Sequence, residues 1–421
     1  MISNILYILL ALVVLMILIT VHEFGHYVSG KLLGFKINEF AIGFGPAIYK
    51  KVNKKSGEIF SIRILPLGGY CAFEGEDEEN PGVDAFNNQK PWKRLIVLLS
   101  GVLFNFIFGI ITATIFLGVN GYGLPCIVDF APDSVNTAIL QKGDIIQEIN
   151  GKKIEAYRSI SDIMSGVKKD EPLVFTILRD GEVVEVDNVQ LYKTQAYYFV
   201  AKTDIENKVY DSGGVVWDVE AFQEYIKTIR PKYNEKTKKY EEFTHDEFFY
   251  KADGKVYTDK ELVELAGITL SPESTSPGFI YSTVQARYSF FECLGKAWPF
   301  CFYICGLILS ALGGLFTGTT ALADMGGTIT AIGQIAEVSK MGINSFLLLF
   351  PMLSMNLALF NVLPIPALDG ARCVFVLIEW IFKKPVPRNI ENKIHTIGLF
   401  VLFAFVIFLD VYHIFILPRI G

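Results

Sequence analysis

The stretch VHEFGHYVSG, residues 21–30, closes an unbroken apolar run from Ile5 to Val21. A run of that kind approaches the roughly 20 residues that carry a helix across a bilayer. It ends in two histidines and a glutamate, groups that are costly to bury unpartnered and that mark function at membrane depth. His22 and His26 are four apart, so a helix sets both imidazoles on one face about one turn apart. Two neutral rings at that spacing can hold Zn2+, and Glu23, on the same turn, can reach the attacking water as general base. Chance is a weak rival, because the 421-residue chain has only 5 histidines.

Outward from that helix the composition is that of a membrane protein. Hydrophobic residues make up 51% of the chain and the mean hydropathy is +0.38. Leu95–Val119, Ile343–Leu363 and Ile397–Leu409, the last extending past Asp410, are further apolar windows of spanning type. A fifth window, Ala297–Phe316, is ambiguous. The first run lacks a basic leader and a small-residue cleavage site, so it reads as a retained span. The net charge of −6 leaves no basic footprint for nucleic acid. The 6 cysteines include no C-x-x-C pair; Cys301 and Cys305 read as packing, and Cys126 and Cys293 could pair only outside the cell.

Lysines and arginines crowd two connecting segments: Lys31 to Arg94 between the first two spans, and Arg372 to Arg388 between the last two. By the positive-inside rule both face the cytoplasm, both termini lie outside, and residues 120–295 are extracytoplasmic. Within that section GDIIQEING supplies a turn, a strand and an Asn-Gly turn. A short helix at Ser159–Val167 and a hairpin turning at Arg179-Asp180-Gly181 follow. The pattern L-x-x-G-D-x-I-x-x-I-N-G, Leu140 to Gly151, resembles a PDZ domain. Residues 200–265 are charged and aromatic and read as an inserted surface segment, with His245 a solvated side chain.

A catalytic zinc needs a third protein donor and an open position. NVLPIPALDG, residues 361–370, offers Asp369 after a Pro-x-Pro break that stops the third span, with Gly370 permitting a tight turn. Parity tests the pairing. The first span runs inward, so Asp369 reaches the depth of His22 only if Ala297–Phe316 does not cross. That window is therefore expected to lie on the surface or re-enter, with Gly313, Gly314 and Gly318 at a bend.

These motifs together resemble the site-2 protease family of intramembrane zinc proteases, and most closely its bacterial regulator-of-sigma branch. HEFGH, the PDZ module and N-x-x-P-x-P-x-L-D-G carry the resemblance. GFGP at Gly43–Pro46, Asn105, Glu379 with Lys384-Pro385, and Asp410 extend it over nearly the whole chain. Ala371 and Thr328 stand where the family usually has a glycine and a proline. The resemblance implies His22, His26 and Asp369 as zinc ligands, Glu23 as the base, and a membrane-associated β loop. It further implies single-span substrates, such as pre-cleaved anti-sigma factors or remnant signal peptides, in a bacterial cytoplasmic membrane with the active site near the cytoplasmic side.

A substrate helix must unwind before cleavage. Residues 47–65 read as a hairpin whose strand through Ile62 and Ile64 could pair with an extended substrate. Asn361, and less so Asn356, could grip substrate backbone; helix–helix hydrogen bonding is the plain alternative. His395, His413 and Asp410 read as structural. The expected architecture is a polytopic α-helical membrane protein with four transmembrane helices, the β loop and an extracytoplasmic PDZ-like α+β domain. Its segments are 1–119 with the first two spans and the β loop, 120–200 PDZ-like, 201–290 the insert, 291–340 the non-crossing apolar segment, and 341–421 the last two spans. The PDZ-like domain would bind a peptide C-terminus or exclude bulky substrates. The rival readings are a non-catalytic PDZ-bearing scaffold with a structural metal, against which an intact Glu23 argues, and a transporter, whose inverted repeats are not seen.

Overall fold

A computed structural model of the chain describes residues 2–76, 85–131, 134–167, 172–194, 274–317, 326–384 and 386–416, with short strands between 197 and 270. The chain divides into two units, residues 1–123 with 285–421, and residues 124–284.

The first unit is helical. Its helices are α1 (Ile2–Leu33), α2 (Pro91–Asn120), α4 (Phe290–Thr317), α5 (Thr328–Lys340), α6 (Ile343–Val362), α7 (Asp369–Phe382) and α8 (Arg388–Val411). Among the described residues, 5 stretches could cross a membrane by length and composition: Ile5–Leu33, Pro91–Asn120, Phe290–Gly314, Ile343–Val362 and Arg388–Phe415. Four were expected from the sequence; the additional one overlaps the ambiguous window. Helix α4 runs unbroken through Gly313 and Gly314, and Gly318, the third glycine of the expected bend, lies outside the described residues.

Contacts set the ends of these helices against one another. Lys93 Nζ donates to Leu33 O at 3.0 Å, joining the end of α1 to the start of α2. Arg94 at the start of α2 is 1% exposed and pairs with Glu379 of α7 at 2.7 Å, while Arg388 at the start of α8 lies 3.9 Å from the same carboxylate. At the other ends, a Cβ on Gly118 of α2 would sit 3.8 Å from Cys293 Sγ of α4. Asp410, near the end of α8, accepts from the Ile329 and Thr330 backbone N–H groups at 3.1 and 3.0 Å, capping the N-terminus of α5. That is the structural role expected of Asp410. A Cβ on Gly327 would clash with the Asp410 carboxyl and Val406 O, so only glycine allows α8 to approach there. Helix α5 packs through Ile335 on Ala11 of α1 and Leu349 of α6.

Strands β1 (Ile37–Val52) and β2 (Ile59–Phe73) pair with one another. The hairpin anticipated at 47–65 is present but longer, and each strand folds on itself. Residues Gly69–Phe73 of β2 pair with the first half of β1. That half also lines up with Ile59–Ile62, which in turn pairs with Tyr49–Val52. The result is four ribbons in the order 69–73, 37–42, 59–62, 49–52. Gly43 (φ +88) and Gly68 (φ +131) sit at the folds, in backbone that a side chain would strain. Phe35, Ile37, Phe73, Phe86, Val97, Leu98, Cys373 and Val376 form the buried core beneath this sheet.

The second unit is β-rich. Strands β3 (Tyr122–Phe130), β4 (Ile145–Ile149), β5 (Leu173–Arg179), β6 (Glu182–Val189) and β7 (Phe279–Ala286) lie in the order β7–β3–β4–β5–β6, and Lys152–Lys153 pairs with β4. The turns read from the sequence form as expected. Asn150 and Gly151, and Asp180 and Gly181, all have positive φ, the conformation that suits Asn-Gly and Asp-Gly in tight hairpins. Helix α3 (Ile160–Ser165) starts in a capping box between Ser159 and Asp162. Arg179 pairs with the buried Asp144 at 2.6 Å. Most of the 200–265 segment, His245 included, lies outside the described residues. All six cysteines are free.

Candidate metal centre

Helix α1 turns His22 and His26 to one side, both buried, with ring centroids 4.7 Å apart. Asp369, the first residue of α7, arrives from 347 positions along the chain, its Oδ2 2.8 Å from His22 Nε2 and 3.3 Å from His26 Nε2. The two Nε2 atoms are 3.1 Å apart. Three donors about 2.0–2.1 Å from one tetrahedral ion would be spaced about 3.3–3.4 Å from each other. The observed separations need only a few tenths of an ångström of opening to admit one, and two imidazoles with a carboxylate are an N/O donor set of zinc type.

The surroundings fix the rings in the tautomer such a site needs. His26 Nδ1 donates to Val97 O at 2.7 Å, which leaves Nε2 with its lone pair toward the centre. His22 Nδ1 lies 3.3 Å from the Asn105 side-chain amide, whose buried Oδ1 has no partner among the described residues. With the amide turned, Oδ1 accepts the Nδ1 proton and His22 presents Nε2 in the same way. Ser354 Oγ of α6 donates to Asn105 O at 2.7 Å, tying this support to α6. Gly101 makes the arrangement sterically possible. A Cβ there would fall 2.6 Å from His22 Cε1 and from His26 Nε2. Gly25 faces Ser100 O at 2.4 Å by the same measure, so α1 and α2 cross on two glycines.

The loop before Asp369 is built for the same end. Ala367 has φ +82, an uncommon conformation for a residue with a side chain, and its N–H donates to His395 Nδ1 at 3.1 Å. His395 is thus structural, as expected. Gly370 plays a different part from the turn predicted for it. It is helical, and a Cβ would lie 2.2 Å from Leu363 O; its lack of a side chain lets α7 fold back against the end of α6.

Glu23 Oε2 accepts the backbone N–H of Cys71 at 3.0 Å. Glu23, His26 and Asp369 line one cavity of about 350 Å3 with Tyr70, Cys71, Ala72 and Arg372. Arg372 forms an ion pair with Glu76 at its rim. The Cys71 thiol is pushed well above its ordinary range, first by burial and then by the Glu23 and Glu76 carboxylates. It therefore stays a thiol, and the N–H of this residue is what the site uses.

One expectation needs correcting. Ile62 is flanked on both sides, by Ile42 and by Tyr49, so it does not lie on the free edge at this cavity; Ile64 is exposed. That edge is Tyr70–Phe73, whose pairing with β1 uses one side only. Long-range folding of two strands has no local signature, so the second ribbon flanking Ile62 could not be read from the hairpin pattern. Asn361 is 9% exposed and Asn356 half-buried; neither amide has a hydrogen-bond partner among the described residues.

A multi-pass helical body with an H-E-x-x-H helix, a distant carboxylate closing on it and a polar cavity alongside defines a membrane protein of metallopeptidase type. The chain belongs to peptidase family M50, the site-2 protease family, whose sequence profile matches residues 10–405. It is 27% identical over 407 residues to a candidate zinc metalloprotease of Fusobacterium nucleatum, covering 96% of this chain and 97% of the relative. A protein of Campylobacter jejuni with the same description is 29% identical over 408 residues, covering 95% and 91%. The regulator of sigma E protease of Haemophilus influenzae is 25% identical over 433 residues, covering 94% and 96%.

Proposed function

We propose that this protein is an intramembrane zinc endopeptidase that cuts single-span membrane proteins. The observation that carries the reading is the convergence of His22, His26 and Asp369 at metal-donor spacing, beside a glutamate that faces an open cavity. Zn2+, when bound, polarises the scissile carbonyl and acidifies water. His22, His26 and Asp369 hold it. Glu23 takes the proton from the attacking water and hands it to the leaving amine. The Cys71 N–H keeps that carboxylate pointed into the cavity. The free edge Tyr70–Phe73 pairs with a substrate segment that has left its helix, which exposes the peptide bond. Asn361, whose amide has no hydrogen-bond partner among the described residues, grips substrate backbone; Asn356 is the lesser candidate.

The helix ends support a four-span topology in a bacterial cytoplasmic membrane. Arg94, Glu379 and Arg388 gather the starts of α2 and α8 on one side. The start of α4 lies by the end of α2, and the start of α5 lies by the end of α8. The α4–α5 stretch thus leaves and returns on the other side without a net crossing, and α6 then runs parallel to α1, bringing Asp369 to the depth of His22. The basic side is cytoplasmic. Cysteines introduced at Lys296 and Asn344, at the starts of α4 and α6, in a background without native cysteines, should both label from outside the cell; labelling from opposite sides would defeat this topology.

Residues 120–200 are read as a PDZ-like domain that excludes bulky ectodomains or receives a newly cut C-terminus. Substrates are then proteins already trimmed on the outer side, such as anti-sigma factors or remnant signal peptides. The test is release of the cytoplasmic fragment from a single-span reporter in reconstituted vesicles. The trimmed reporter should be cut at least several-fold faster than the intact one, a chelator should stop cleavage, and added Zn2+ should restore it. Chelator-resistant cleavage would overturn the metal chemistry.

A further inference from the structure

The four-ribbon sheet has two ends with different chemistry. One edge, Tyr70–Phe73, holds Glu23 through Cys71. The opposite edge, Tyr49–Val52, leads into a turn in which four of the six positions from Lys50 to Lys55 are lysine. Lys50, Lys51, Lys54 and Lys55 are all exposed and have no ion-pair partner among the described residues. The nearby carboxylate, Glu58, is buried and taken by Lys31 at 2.6 Å. Beside these cations Ile48 is 70% exposed and Val52 52%. Bare apolar side chains flanked by unpaired cations suit a membrane–water interface, where the apolar groups enter the acyl boundary and the ammonium groups meet phosphate. A cavity of about 560 Å3 lies between this turn and α1, lined by Tyr27, Lys31, Lys51, Asn53, Lys54 and Glu58. Tyr27 and Lys31 are taken up by Glu58, so what the cavity offers a phosphate is the charge of Lys51 and Lys54 and the Asn53 amide.

We propose that the β1–β2 tip docks on anionic phospholipid headgroups, and that this docking holds the opposite edge of the same sheet in register with Glu23. The second half rests on the peptidase reading; the first does not. The lipid sets cleavage rate because the sheet links tip to site: Tyr49–Val52 pairs with Ile59–Ile62, which lines up with Glu39–Ile42, which pairs with Gly69–Ala72. A tip free of the surface leaves the Cys71 N–H and the substrate-pairing edge less well placed.

The experiment uses the full chain in nanodiscs of phosphatidylcholine alone, or with about one third phosphatidylglycerol. Amine acylation read by mass spectrometry reports each lysine, with Lys142 and Lys152 of the second unit as internal references. Acylation of Lys50, Lys51, Lys54 and Lys55 should fall several-fold in the anionic discs while the references stay constant. Each lysine near an anionic surface contributes about fivefold to association. Inorganic phosphate added to neutral discs should not reproduce the protection; if it does, the ligand is free phosphate and membrane docking is overturned. Equal acylation in both discs also overturns docking, whether or not the protein proves to be a peptidase. For the second half, wild-type cleavage of the trimmed reporter should be several-fold faster in anionic discs. The K50Q/K51Q/K54Q/K55Q variant should keep the neutral-disc rate and lose the lipid response. A response that survives in this variant, or lysine protection with no rate difference, would overturn the link to Glu23.

Discussion

Glu23→Gln should abolish detectable cleavage while leaving fold and metal in place. The amide is nearly isosteric and can still accept the Cys71 N–H through its oxygen. Glu23 is outside the donor triad, whose atoms come from His22, His26 and Asp369, so metal affinity should change little. The lost function is proton transfer, because an amide cannot take a proton from water. General acid–base assistance is typically worth roughly 10² to 10⁴ in rate, and here one group would serve both the attack and the departure of the amine. The measurement is the rate of fragment release from the trimmed reporter. A Glu23→Gln protein that releases fragment as fast as wild type would remove Glu23 from the chemistry and favour a scaffold with a structural metal.

Arg94→Met should be the most destabilising single change away from the metal centre. The guanidinium is 1% exposed. It donates to Glu379 Oε2 at 2.7 Å and to Asn87 O at 2.8 Å. Removing one partner of a buried pair strands the other, at about 3–5 kcal/mol. Glu379 keeps some exposure and retains Arg388 at 3.9 Å, so the lower end of that range is expected. The pair joins α2 to α7, and α7 begins at Asp369, so zinc retention should weaken as well. Thermal unfolding in detergent reads the first effect. The double variant Arg94→Met with Glu379→Met should recover most of the lost stability, since neither charge is then left alone. A single variant as stable as wild type would show that the pair contributes nothing.

What could be read from the sequence divides by range. His22 and His26 are legible because helical periodicity alone places them together. The Asn150-Gly151 and Asp180-Gly181 turns are legible because the residues themselves favour positive φ. Asp369 is reachable only through a motif and a parity argument; the structure brings its carboxylate to 2.8 Å from His22 Nε2. The sheet was half legible. A hairpin around Asn53 follows from local pattern, but the pairing of Phe40 with both Phe60 and Cys71 depends on glycine folds that local reading cannot place. That is why Ile62 was read as an edge although it is flanked on both sides. Arg94 and Glu379 are 285 residues apart, and no periodicity links them. Gly370 was legible as a required glycine, but for the wrong reason: the close carbonyls of Val362 and Leu363 belong to tertiary packing.

The most direct test of the account is metal analysis of the purified protein, wild type against His22→Ala. The donor triad predicts about one zinc per chain in the wild type, lost in the variant because two remaining protein donors hold Zn2+ poorly. Full zinc retention in His22→Ala, in a protein that remains folded, would contradict the account and place the metal elsewhere.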